Sequence, residues 1–169
     1  NLVVGLMDSS SSSNDGDMWK GRAIAFVESL FKILVYQRDA GNIMLDADSI
    51  RNYFGLDKLE AMVADKVFIR EGQFDISLEG VPDLVMQPIS NYLTTLPGYV
   101  KERKGKQVSQ VFEQHGYITM QLTRTFTTFA DTYGHIMRTK LAEVDLKDVV
   151  LNRRILVVLL PAALQDQQF

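Results

Sequence analysis

The chain of 169 residues contains no cysteine, which excludes a disulfide framework, a thiolate metal site and a thiol nucleophile. A chain without cysteine suits a reducing compartment. Long apolar runs are missing too. The longest begins at Ile155, reaches Leu160 and falls well short of the roughly 18 residues that a membrane-spanning helix needs. The sequence therefore predicts neither a disulfide scaffold nor a segment that crosses a bilayer.

Catalytic signatures are also absent. The sequence has no G-x-x-x-x-G-K-[ST] phosphate loop, no G-x-G-x-x-G, no H-E-x-x-H and no G-x-S-x-G. His115 and His135 lie too far apart on one predicted helix to share a metal, and the apolar neighbours of His115 favour a packed histidine. We expect no catalytic, cofactor-binding or metal-binding residue in this chain. The alternative that the sequence leaves open is a pair of carboxylates that act together in hydrolysis, but no particular pair is indicated.

Composition is that of an ordinary soluble globular domain, with 46% hydrophobic and 23% charged residues. The length fits one domain with one core. A net charge of −3 argues against binding nucleic acid through the whole surface, but it leaves room for a local basic patch.

Four successive segments divide the chain. Residues 1–7 form a short apolar, strand-like segment, and the Ser-rich residues 8–16 predict a flexible loop. Helical periodicity fills residues 17–151. Residues 152–169 hold a second strand-like run and a tail, and because no polar residue alternates within that run, both of its faces should be covered, as in a central strand of an α/β sheet.

Aspartates at the start of apolar periodic runs predict the helix boundaries within 17–151. The four predicted caps are Asp17, Asp46, Asp57 and Asp145. The first helix should end at Gly41, and Asp57 with Glu60 should form a capping box.

The longest periodic stretch predicts one helix from about residue 107 to 137, roughly 45 Å long at about 1.5 Å per residue. Its apolar positions are Val108, Val111, Phe112, His115, Ile118, Leu122, Phe126, Phe129, Tyr133 and Ile136. The fold class is therefore a mainly α, multi-helix bundle with strand-like segments at both ends. Since a two-stranded sheet is marginal, we expect this bundle to be an insertion domain cut from a larger α/β protein.

One charge cluster precedes the long helix and supplies the candidate contact residues. They are Tyr99, Lys101, Arg103, Lys104 and Lys106. The functional interpretation is a phosphate-binding patch in which Tyr99 stacks on a base, and the simpler one is a solvated loop. Basic residues at a helix N-terminus run against the helix dipole, which suggests a purpose other than helix stability.

A family resemblance rests on three segments: Met18 to Ala23, Leu34 to Asp39, and the return segment from Leu151 to Pro161. In these the chain resembles the all-α domain of type IV secretion and conjugation coupling proteins, in the DotL/TrbC branch of the TraG/TraD-like ATPases. The similarity spans nearly the whole chain. After Pro161 it departs from the family pattern, since Ala162, Ala163, Leu164 and a Gln-rich tail follow.

The resemblance implies a domain that interrupts the RecA-like motor of a hexameric ATPase, which is anchored in the bacterial inner membrane. The domain would lie at the cytoplasmic mouth of that motor. The fragment itself would be soluble and, in isolation, monomeric. ATP and Mg would then bind the parent motor, outside this chain. It also implies a non-catalytic module that contacts DNA, or relaxase, effector or adaptor proteins. The alternative is a structural bundle or adaptor without nucleic-acid contact, and a protein partner would require an exposed apolar patch.

Overall fold

The computed structural model describes residues 14–132, 134 and 144–159. The strand predicted at residues 1–7, the first part of the predicted Ser-rich loop and residues 160–169 lie outside the described residues. The chain divides into two compact units, Asn1–Arg138 and Thr139–Phe169. The prediction of a mainly helical fold is confirmed.

Helix α1 spans Asn14–Asp39 and ends as the sequence predicts. Gly41 adopts a φ of +76°. Its N–H donates to the carbonyl of Arg38 at 2.9 Å, and the next N–H, of Asn42, reaches the carbonyl of Gln37 at 2.9 Å. This paired closure satisfies the last carbonyls of the helix. The prediction that Asp17 caps the helix is wrong, because the helix already includes the polar residues that precede Asp17.

Helix α2 spans Ala47–Asn52 and is capped by Asp46, as predicted: the N–H of Ser49 donates to Asp46 Oδ1 at 2.7 Å. Helix α3 spans Leu56–Glu60 and continues into a π-helical turn, Ala61–Asp65. The predicted capping box at the start of α3 is wrong. The residue that precedes the helix is a glycine without a side-chain cap, and the carboxylate of Glu60 has other partners, described below.

Two short strands follow the π turn. Strand β1, Val67–Phe68, pairs antiparallel with β2, Ile76–Ser77, with Val67 opposite Ser77. Sequence periodicity did not reveal this hairpin, because two-residue strands are too short to produce an alternating pattern. Helix α4 comes next.

Two α-helices and a 3₁₀ turn complete the described part of the first unit. Helix α4 is Asp83–Thr94, a 3₁₀ turn spans Lys101–Arg103, and the long helix α5 is Ser109–Thr132, within the predicted range. Helix α1 packs against α4 and α5, and α2 packs against α5. The largest fully buried side chains of this core are Phe26, Leu30, Ile33, Leu34, Leu59, Met62, Phe68, Leu78, Ile89, Leu93, Ile118 and Leu122.

The second unit contains α6, Leu146–Leu151, and the residues that follow it. Asp145 caps α6 as predicted, since its Oδ1 accepts from the N–H of Lys147 at 2.9 Å. Residues 155–159 have no regular secondary structure, and their apolar side chains are exposed. No strand pairing is observed for them among the described residues, so a return strand in a larger sheet stays a prediction.

Within the described ranges, no helix is both long enough and apolar enough to cross a membrane.

Candidate interaction site

The basic loop, defined here as residues 100–107, joins α4 to α5 and contains the predicted cations. All four of them, Lys101, Arg103, Lys104 and Lys106, are exposed. Lys104 Nζ forms an ion pair with the Asp65 carboxylate at the end of the π turn. The other three have no ion-pair partner among the described residues. The structure therefore brings the predicted cations together on one short loop.

A side-chain amide closes the basic loop. Gln107 is 8% exposed, and its Oε1 accepts from the N–H of Val100 at 3.0 Å. Its Nε2 donates to the carbonyl of the same Val100 at 2.7 Å. The amide of Gln107 thus satisfies both backbone groups of Val100, as a neighbouring strand would. The two ends of the loop are fixed to each other by these bonds.

A buried carboxylate anchors the closed loop to the bundle. Glu60 is 2% exposed. Its Oε1 accepts from Gln107 Nε2 at 2.7 Å, and its Oε2 accepts from the N–H of Gly105 at 3.0 Å. Hydrogen bonds to an ionised acceptor are stronger than neutral ones, and they offset the cost of burying the group. Neither Glu60 nor Gln107 was predicted as a site residue, since neither residue lies in a recognisable binding motif.

Tyr99 differs from the cations beside it. Its side chain is partly buried against the core, and its hydroxyl oxygen is buried without a hydrogen-bond partner among the described residues. Burial raises the pKa of this hydroxyl, and the nearby carboxylates of Glu60 and Glu102 raise it further. Its hydroxyl end therefore faces protein, and stacking of Tyr99 on a base stays a prediction.

An apolar stripe continues from the basic loop along α5. We define it as Val108, Phe112, Gly116 and Met120, which follow one another at four-residue steps. Phe112 is 49% exposed and Met120 is 60% exposed. A Cβ at Gly116 would meet no atom within 4 Å, so the middle of the stripe is open. The exposed apolar patch expected of a protein-binding surface is thus present.

The threonines of α5 contribute less to its surface chemistry than their number suggests. The hydroxyls of Thr119, Thr123 and Thr128 each donate to the carbonyl four residues earlier in the same helix, at 3.0, 2.8 and 3.0 Å. Their donors are therefore already used within the helix. This agrees with an ordinary exposed helix face.

His115 is a packed core residue, as predicted. It is buried, its Nε2 donates to the carbonyl of Phe54 at 2.6 Å, and its Nδ1 lies 2.7 Å from the hydroxyl of Tyr92. Because a carbonyl can only accept, the ring is the Nε2–H tautomer and Tyr92 donates to Nδ1. Burial lowers the pKa of His115, and the hydrogen bond to Phe54 partly opposes that effect. The lowered pKa favours the neutral imidazole, and both ring nitrogens have a hydrogen-bond partner.

Among the described residues, no three histidine or carboxylate side chains gather where they could hold a metal ion.

Known proteins include one that is similar to this chain over nearly its whole length. No family model matches the chain. It is 70% identical over 161 residues, 95% of its length, to the type 4 coupling protein DotL of Legionella pneumophila subsp. pneumophila. The chain is thus similar, over nearly its whole length, to part of a type IV coupling protein. It spans 21% of that relative's length, so the match concerns one domain-sized segment of a much longer protein, and it confirms the resemblance predicted from the sequence.

Proposed function

We propose that this chain is a non-catalytic, substrate-engaging or regulatory domain of a type IV secretion or conjugation coupling ATPase, and that its basic loop contacts the DNA backbone. The observation that carries the proposal is the clustering of four exposed cations on a loop fixed by hydrogen bonds to Gln107 and to the buried carboxylate of Glu60. A loop that is already ordered loses little conformational freedom on binding, so more of its electrostatic attraction appears as affinity.

Charge distribution supports a local contact. The chain as a whole carries a net charge of −3, which repels polyanions from most of its surface. Three of the loop cations have no ion-pair partner among the described residues, and phosphate binding depends on such cations releasing counterions. DNA should therefore approach this domain at the basic loop.

The motor chemistry of the proposed parent belongs outside this chain. We place ATP and Mg in the RecA-like motor of a hexameric parent protein at the cytoplasmic face of the inner membrane. This domain would lie at the cytoplasmic mouth of that motor. The absence of a G-x-x-x-x-G-K-[ST] loop supports this division. Specific ATP hydrolysis by the purified 169-residue chain would contradict it.

The intact coupling protein gives the sharpest functional test. Replacing Lys101 and Lys106 with Gln removes two loop cations and leaves the Lys104–Asp65 ion pair in place. We expect substrate transfer to fall while ATPase activity stays near wild type. The matched control replaces the exposed Lys32 and Lys147 with Gln, since it removes the same charge elsewhere. Equal substrate transfer by the loop variant and the control variant would contradict the proposal.

A protein partner is the second candidate, and the apolar stripe is the observation that favours it. Relaxase, effector or adaptor proteins would then contact α5 instead of DNA contacting the loop. Under this interpretation, Phe112→Ser with Met120→Ser should abolish transfer, whereas the loop variant should have no effect. Retained transfer by the stripe variant would exclude this candidate.

A further inference from the structure

Glu60 occupies a junction that links three parts of the fold. It is the last residue of α3 and directly precedes the π turn, and its carboxylate reaches across to the basic loop. The loop donors that it accepts are the N–H of Gly105 and the amide of Gln107, which are 45 and 47 residues away in sequence. Two long-range hydrogen bonds therefore converge on one buried side chain.

The π turn places a second carboxylate under the same loop. Along an α-helix, residues five apart lie about 140° apart around the axis. The wider π turn, whose hydrogen bonds join residues five apart, brings such a pair nearer to one side. Glu60 and Asp65 are separated by this interval, and both contact the loop, Asp65 through Lys104. The two carboxylates that contact the basic loop therefore lie at the two ends of the π turn.

We propose that Glu60 is the positioning residue of the basic loop and that, through Gly105 and Gln107, it holds the loop cations in the arrangement that binds a polyanion. This inference rests on the proposed function. The two roles that Glu60 could have predict opposite effects on DNA affinity. If its carboxylate acted through its charge alone, it would weaken the attraction of the four cations for DNA, and its removal would raise the affinity. If it positions the loop, its removal lowers the affinity.

Three variants separate position from charge. Glu60→Gln leaves one amide N–H facing a donor of Gly105 or Gln107, so a buried donor loses its acceptor. Gln107→Glu places two carboxylates against each other. The exchange variant, Glu60→Gln with Gln107→Glu, reverses the donor and acceptor and keeps the total charge and the bond between the two side chains, although the Val100 carbonyl loses its donor. Glu113→Gln on the exposed side of α5 is the charge-matched control for E60Q.

Two measurements on the full chain report the outcome. The first is hydrogen exchange at the Gly105 amide, compared with the core amide of Leu122 to exclude global unfolding. The second is affinity for a fluorescent DNA duplex at low salt. In E60Q we expect exchange at Gly105 to accelerate about tenfold, as for loss of one hydrogen bond, and DNA affinity to fall about threefold.

The exchange variant should protect Gly105 better than either single variant and recover part of the lost DNA affinity, since the Val100 carbonyl still lacks its donor. E113Q should leave exchange at Gly105 unchanged and bind DNA as well as wild type. Unchanged exchange at Gly105 in E60Q would overturn the inference, and so would an E60Q affinity that rises with the lost negative charge. Failure of the wild-type chain to bind DNA would overturn the proposed function, independently of the exchange rates.

Discussion

Both sides of α5 carry large apolar residues, but those on one side are buried in the core and those on the other are exposed to solvent. On one side Val111, Ile118 and Leu122 are buried at 0 to 1% exposure. On the other side Phe112 and Met120 are about half exposed. One side is covered by α1 and α2, whereas Phe112 and Met120 on the other side are exposed to solvent. Apolar composition alone therefore does not distinguish a core position from an exposed one.

Helical geometry separates the two sides. At 100° per residue, Val111, His115, Ile118 and Leu122 lie within about 60° of one another around the axis. The apolar stripe advances by about 40° with each four-residue step, so it begins beside the core and reaches the opposite side at Met120. A stripe that turns away from the core cannot be buried by the same neighbours along its length.

The largest effect is expected when one apolar side chain on each side of α5 is truncated to alanine. Leu122→Ala should lower the free energy of unfolding by about 2–5 kcal/mol, because it leaves a cavity among fully packed neighbours. Met120→Ala, two residues away, should change it by less than about 0.5 kcal/mol. Urea unfolding followed by circular dichroism measures both. Similar losses for the two variants would show that the exposed side is covered.

A smaller effect is expected at the buried polar pair. Tyr92→Phe removes the hydroxyl that donates to His115 Nδ1 and leaves that nitrogen without a donor. We expect a loss of about 1–3 kcal/mol in the free energy of unfolding. Tyr117→Phe on the exposed side of α5 is the control and should be near neutral. An unchanged midpoint for Y92F would mean that the pair contributes nothing to stability.

The same histidine makes stability depend on pH. Because burial lowers its pKa in the folded chain, the unfolded chain binds a proton below about pH 6.5 that the folded chain does not bind. The free energy of unfolding should then fall as the pH falls below about 6.5, by up to about 1.4 kcal/mol per pH unit, until the folded pKa is reached. His115→Gln should remove this slope. An identical pH profile for H115Q would contradict the assignment.

The smallest expected effect is a gain. Gly116→Ala adds a methyl group into open space on a regular helix, so it should stabilise the chain by about 0.5–1 kcal/mol. Gly98→Ala is the contrasting variant. Gly98 has a φ of +84°, and a Cβ there would lie 2.9 Å from Val108 Cγ2, so it should destabilise. A destabilising G116A would indicate that the stripe is already packed against something.

Sequence patterns predicted the parts of the fold that depend on local chemistry. Periodicity located α1 and α5, and aspartate caps located α2 and α6, because these signals act within one turn of helix. The Glu60 anchor was unpredictable for the opposite reason. Its partners are more than forty residues away, and the local rule assigned it to a capping box. The cations of the basic loop were visible in the sequence, whereas the bonds that fix the loop were not.

The central claim, that the basic loop engages DNA, is tested most directly by the salt dependence of binding. The affinity of the 169-residue chain for a short fluorescent DNA duplex would be measured between about 50 and about 200 mM salt. With three unpaired loop cations, we predict a slope of log affinity against log salt of about −3, reduced in magnitude by about two in K101Q/K106Q. A slope near zero, or the same slope in wild type and K101Q/K106Q, would contradict the account.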